Sequence, residues 1–217
     1  MHELTITPSR RQATGGLLWV SLLQIFIVDV VVFIHATTVR PTDEIISALG
    51  ETQCGRLGAF HVCSPWHESA DIAWVIGGLS LAVGALCNLA VFTPGFLRNL
   101  AFGALTISGL ALVSTGLNPY NVRPSPHLFS AGTCFFMGSA GVVLLGLLFL
   151  QANRPHWGWA GVSCGAIGIT GTTLTALKPI PDLQGLFERV GAWPSVVWVM
   201  ATGAFIVRAV YRHAVAR

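Results

Sequence analysis

Apolar residues run through this chain in long unbroken tracts, with polar residues gathered between them. Six tracts of about twenty residues, at 15–35, 72–93, 99–118, 128–151, 158–177 and 190–211, are each long enough to cross a hydrocarbon layer of about 30 Å as a helix. A membrane β-barrel would instead show short alternating segments. Small residues recur inside the tracts, as in Gly77, Gly78 and Gly84 or Gly161, Gly165, Gly168 and Gly171, where they let membrane helices approach closely. The pattern predicts an all-α, six-transmembrane-helix bundle forming a single integral membrane domain over 1–217. Arg10 and Arg11 before the first tract imitate a signal peptide. The tract is long and no small-residue cleavage site closes it cleanly, so it reads as a retained signal-anchor span.

Residues 36–71 form the only long connection. Within it, Ile45 and Ile46 followed by Ala48, Leu49 and Gly50 predict a short amphipathic helix lying on the membrane interface and stopped by glycine. Composition supports the membrane reading. Only 10% of residues are charged, against about 25% in soluble domains, so the lipid bilayer is the first partner. A single lysine, Lys178, and a net charge of +3 leave no basic stripe for nucleic acid, which is excluded as a partner.

Charge also suggests an orientation. With the N-terminus inside, Arg10, Arg11, Arg98, Arg154, Arg208, Arg212 and Arg217 are cytoplasmic, and Arg40, Arg56, Arg123, Lys178 and Arg189 are external. The positive-inside rule then places both termini of this multi-pass cell-membrane protein in the cytoplasm. Cys54 and Cys63 would face an oxidising compartment, where they form a disulfide or remain two free thiols. Cys87, Cys134 and Cys164 fall inside helices and read as small apolar residues.

The candidate chemistry lies at the outer end. The second, fourth and sixth helices begin there, carrying His67 and Asp71, His127, and Glu188 with Arg189. Helix N-termini carry unpaired N–H groups and partial positive charge, so together with Arg123 and Arg189 they form a candidate anion site. His67 and Asp71, four apart on one helical face, could join His127 and Glu188 as an acid–base group or, as the lesser reading, as ligands of a divalent metal. No metal, phosphate-loop or nucleophile-elbow motif is present, so no cofactor is expected. The plainer alternative is capping: Ser64, Ser125, Asp182 and Glu188 all suit helix starts. Asp29 stands inside the first span, where an acid costs about 2.5–3.5 kcal/mol and must find a donor; His35, Gln24 and Asn88 are the candidates. No further acids follow at other depths, which argues against a proton pump.

Several of these stretches resemble one family. Ile45-Ile46-Ser47-Ala48-Leu49-Gly50, Val62-Cys63-Ser64-Pro65-Trp66-His67 with Asp71, Asn118-Pro119 with His127, and Gly185-Leu186-Phe187-Glu188-Arg189-Val190-Gly191-Ala192-Trp193-Pro194 resemble motifs of the bacterial domain-of-unknown-function family 998, in its actinobacterial form. The resemblance covers nearly the whole chain and implies a six-helix bundle without an established activity. Asp71 and Trp193 depart from it, standing where Asn and Tyr are common.

These readings lead to two functional expectations. The first is an outward-facing site that binds or transforms an amphiphilic lipid- or isoprenoid-like molecule. His67, Asp71, His127 and Glu188 would do the chemistry, while Arg189, Arg123, Trp66, Trp193 and Asp29 would hold the substrate. Acid-initiated isoprenoid cyclisation is one form of it, since a carboxylic acid in an apolar pocket can donate a proton and aromatic faces such as Trp66, Trp74, Trp193 and Trp198 can stabilise a carbocation. The second is a non-catalytic membrane subunit or small-solute permeation protein, in which the same groups are structural and the Trp residues form an interfacial belt.

Overall fold

Six helices among the described residues are long and apolar enough to cross a membrane: Arg10–His35, His67–Val91, Phe96–Leu117, Pro124–Gln151, Pro155–Leu177 and Pro181–Val215. The computed structural model describes residues 4–7, 9–36, 42–57 and 60–215. Arg40 and Arg217, which entered the charge count, lie outside them.

The first span is two helices, α1 (Arg10–Val20) and α2 (Leu23–His35). At the break the Ser21 hydroxyl donates to the Leu18 carbonyl (2.8 Å), and Leu22 N–H reaches back only to Trp19 (3.3 Å). A serine bonding its own backbone competes with the helical ladder, and Gln24 ties α2 to the next span by donating to Ala73 O (2.8 Å). The remaining spans are α3 (His67–Asn88), α4 (Phe96–Leu117), α5 (Pro124–Gln151), α6 (Pro155–Leu177) and α7 (Gln184–Val215). Each packs on the next, and α1 closes the ring between α3 and α7.

Paired glycines set how closely the helices lie. A Cβ on Gly78 would stand 2.5 Å from Gly109 O, and one on Gly109 would stand 2.5 Å from Gly78 O, so α3 and α4 touch backbone to backbone. Gly16 and Gly203 do the same for α1 and α7. At the end of the bundle holding the termini, Phe149 meets Phe92 (5.1 Å) and Trp198 (5.8 Å) edge-on. Trp198 is therefore part of an aromatic core, about three helical turns along α7 from Glu188.

The long loop sits at the opposite end, hereafter the loop end. Strands β1 (Gly55–Leu57) and β2 (Phe60–Val62) form an antiparallel hairpin with Gly55 opposite Val62. Just beyond that pair, Cys54 and Cys63 are joined in a disulfide, with Cα atoms 4.1 Å apart.

The interfacial helix expected at 45–50 is something else. Ile46–Gly50 is a 3-10 helix with all five residues buried. It is inserted between α2, α3 and α7 rather than laid on the surface. Gly50 makes this insertion possible, because a Cβ there would stand 2.5 Å from Asp71 Oδ1 and 2.7 Å from the Trp74 ring. We refer to residues 42–51 as the plug.

Candidate functional site

The plug touches the starts of all three helices that begin at the loop end. Leu186 N–H of α7 donates to Thr42 O (2.9 Å), Gly50 lies against Asp71 of α3, and Ser47 meets His127 of α5. Pro181 opens a 3-10 turn that passes into α7 at Gln184, so Glu188 falls in the second turn of the helix and is not a cap. Pro194 lies inside α7, where its ring removes one backbone hydrogen bond.

Glu188, 4% exposed, turns toward the plug. Its carboxyl group accepts from Ile46 N–H and lies 3.1 Å from the Ser47 hydroxyl. That hydroxyl is 2.9 Å from His127 Nε2, and His127 Nδ1 is 2.8 Å from Asn118 O. A carbonyl can only accept, so Nδ1 carries a proton and donates to it. Ser47 brings one proton to a contact with two neighbours. Both contacts are hydrogen bonds only if one further proton sits on Glu188 or on His127 Nε2. The result is a buried Glu188–Ser47–His127 chain, able to pass a proton along its length.

Two cavities lie beneath the plug, and the smaller adjoins this chain. A small one of about 30 Å³ is lined by Ser47, Glu188 and Trp74 among others. A larger one of about 80 Å³ is apolar apart from Asp29 and three serines, and takes its walls from Phe26, Phe135, Trp193 and aliphatic side chains. Ile46, Leu112, Cys134 and Phe135 belong to both, so the cavities are neighbours beneath the plug.

Asp29 is 5% exposed and lines the larger cavity. Its hydrogen-bond donor is the Trp74 indole, and its Oδ1 has no partner among the described residues. The donors suggested by sequence serve elsewhere: Gln24 bonds Ala73 O, and His35 bonds Val31 O (2.7 Å). Asn88 packs beside Gly15 toward the other end.

Of the residues singled out by sequence, the structure unites His127 and Glu188, through a serine that had appeared only as part of a motif. Arg189 joins them from one position along α7, donating to Glu44 O (2.8 Å) and Gly185 O (3.0 Å) and standing 5.7 Å over the Trp193 ring. Asp71 adjoins the plug at Gly50, and its Oδ1 is buried without a partner among the described residues. His67 stays at the start of α3, bonded to Ser64 O (3.1 Å). Trp66 is exposed and stacks on His35 (4.4 Å). Arg123 is exposed and reaches Asn118 Oδ1 (3.3 Å). Among the described residues, no three His, Cys, Asp or Glu side chains are grouped to hold a metal ion.

Where the anion site is expected, carboxyl groups gather beside Arg189. Buried Glu44 and Glu51 of the plug, with buried Glu188 and half-buried Asp71 against it, stand where helix starts converge. An anion there would meet them as well as Arg189.

Glu44 and Glu51 lie in the plug, and both carboxyls are pushed from 4.5 to about 7. Burial is the main cause for each; at Glu44, Arg189 opposes it and Glu51 adds to it. A folded-state pKa above the unfolded value gives stability that is complete below the unfolded pKa and lost as pH rises through the folded one. Melting temperature in detergent is therefore expected to fall between about pH 5 and about pH 8. The double variant Glu44→Gln/Glu51→Gln should have a flatter profile, and an unchanged slope would show that other groups set it.

The family model for proteins of unknown function, DUF998, matches residues 19–204, and the chain belongs to that family. No curated protein and no solved structure matches it.

Proposed function

We propose that this membrane protein binds an amphiphilic molecule at its loop end, with the ligand's polar group at the Glu188–Ser47–His127 chain and its apolar end in the cavity beneath. The observation that carries this reading is the shared wall between the two cavities, which sets a proton-bearing polar chain beside an apolar space. Asp29 and Trp193 supply further polar contact, since Asp29 Oδ1 and Trp193 Nε1 are both buried without a described partner. In this reading the loop end faces outward, as the arginine distribution favours.

The cavity size favours binding over cyclisation. About 80 Å³ is less than the roughly 150 Å³ of a cavity that takes up benzene. A prenyl chain would enter only with outward movement of the plug or separation of the helices. Acid-initiated cyclisation would use Asp29 as the acid and Phe26, Phe135 and Trp193 as aromatic walls, and it therefore requires that opening.

The test is mass spectrometry of protein isolated in mild detergent, comparing wild type with Asp29→Asn and Glu188→Gln. A co-purifying amphiphile that both variants retain poorly is the expected result. Equal recovery from all three, or no small molecule beyond bulk lipid, would leave the polar groups with a structural role alone. Orientation is read separately, in protein lacking Cys87, Cys134 and Cys164. Cysteines placed at Arg56 and Lys178 should label from outside, and ones at Arg98 and Arg154 only after permeabilisation.

A further inference from the structure

At the end opposite the plug, a cleft of about 880 Å³ lies between the N-terminal segment 4–7, the α5–α6 turn and the last turns of α7. Arg208 and Arg212 stand one helical turn apart on α7 and line it together with His213. Arg154 lines it from the other side, at the N-cap of α6. Asn153 adopts a left-handed backbone (φ 55°), which ends α5 and turns the chain so that Arg154 N–H bonds back to Phe149 O (2.9 Å). Leu4, Ile6 and Phe205 give the cleft an apolar side.

No carboxylate is among the described residues lining this cleft. The described acids occur in the plug, the hairpin-side helix starts and the loop-end half of α2; Glu3 is outside the described residues. Arginines at this end are not all alike. Arg11 donates to Leu86 O (2.8 Å), and Arg98 donates to Asn99 Oδ1 (2.8 Å) and Phe92 O (3.5 Å). Neither lines the cleft. The positive-inside rule accounts for arginines spread around helix ends, but not for three converging from two separate elements on one cleft with an apolar side.

We infer that this cleft binds a phosphate-bearing anion, seated as the headgroup of an acidic phospholipid. Guanidinium groups match phosphate oxygens in a two-pronged geometry, and basic clefts between membrane helices near the bilayer surface suit anionic headgroups. The α6 N-terminus adds a weak favourable field. Leu4, Ile6 and Phe205 would meet the glycerol and the upper acyl chain, which favours a lipid over free phosphate. This site is separate from the proposed loop-end site, and either can fail without the other.

The experiment is a melting-shift titration of the full chain in neutral detergent with dihexanoyl-phosphatidylglycerol, dihexanoyl-phosphatidylcholine and inorganic phosphate. Phosphatidylglycerol should raise the melting temperature saturably and phosphatidylcholine should not. Arg208→Gln/Arg212→Gln should weaken the effect by about fivefold for each arginine removed, whereas Arg56→Gln on the distant hairpin should leave it intact. Arg208→Lys/Arg212→Lys, which keeps charge but loses the planar fork, should fall between wild type and the glutamine variant. If inorganic phosphate matches phosphatidylglycerol at equal concentration, the cleft is a phosphate site supplied from solution. Equal shifts with both lipids, or an undiminished phosphatidylglycerol shift in the glutamine variant, would overturn the inference.

Discussion

Glu188→Ala is expected to destabilise the protein by about 2–4 kcal/mol, and Glu188→Gln by less than about 1 kcal/mol. Alanine leaves the buried Ile46 N–H without its acceptor and removes one side of the Ser47 contact. An unmet buried donor costs more than the bond itself contributed. Glutamine can rebuild the whole chain. Its oxygen accepts from Ile46 N–H, its amide donates to Ser47 Oγ, Ser47 donates to His127 Nε2, and His127 Nδ1 donates to Asn118 O. What glutamine cannot do is give up or accept the mobile proton. Near-normal melting with loss of ligand retention therefore separates a functional Glu188 from a structural one. A Glu188→Gln protein as unstable as Glu188→Ala would mean that the carboxylate charge itself holds the plug, with the further proton on His127 rather than on Glu188.

The six spans were legible because long apolar tracts are a local property of the sequence, and helices are the economical way to satisfy their backbone in lipid. The helix starts were not. Hydropathy placed the last span at 190, while the helix begins at Gln184, because a polar first turn such as Gln184 to Arg189 is helical without being apolar. That displacement made Glu188 look like a cap. The apolar tract of the fourth span likewise begins at 128, while α5 begins at Pro124 and takes in His127, expected at the helix start.

The plug was misread for a different reason. Ile-Ile-Ser-Ala-Leu-Gly has the amphipathic look of an interfacial helix, and nothing local says that a pocket among three other helices will receive it. Its meaning depends on Glu188, 141 residues from Ser47, and on His127, 80 residues away. The clue available in the sequence was Gly50, which suited a helix stop but equally suited the tight contact with Asp71 and Trp74 that the structure shows. Cys54 and Cys63 were easier, because a short separation within one loop constrains the geometry before any tertiary contact forms.

Gly171→Leu is expected to prevent isolation of folded, monodisperse protein, whereas Gly132→Ala should be tolerated or slightly stabilising. In lipid, helix association relies on close packing rather than on expulsion of water, so small residues at contacts carry much of the specificity. At Gly171 even a Cβ would stand 2.3 Å from Gly191 N and 2.6 Å from the Val190 carbonyl carbon. Both are backbone atoms of α7, and no rotamer change can relieve the clash. The helix would have to move, taking with it Glu188 and Arg189, which lie within a turn of Gly191. Ordinary overpacking of a core costs about 1–3 kcal/mol, and a backbone-limited contact belongs at or beyond the top of that range. At Gly132 a Cβ meets nothing within 4 Å, and alanine there gains about 0.5–1 kcal/mol in helix preference. Size-exclusion profiles of the two variants in the same detergent provide the comparison. A Gly171→Leu protein that elutes and melts like wild type would show that α6 and α7 are not held in backbone contact at Gly171, and that Glu188 is not fixed against the plug by that contact.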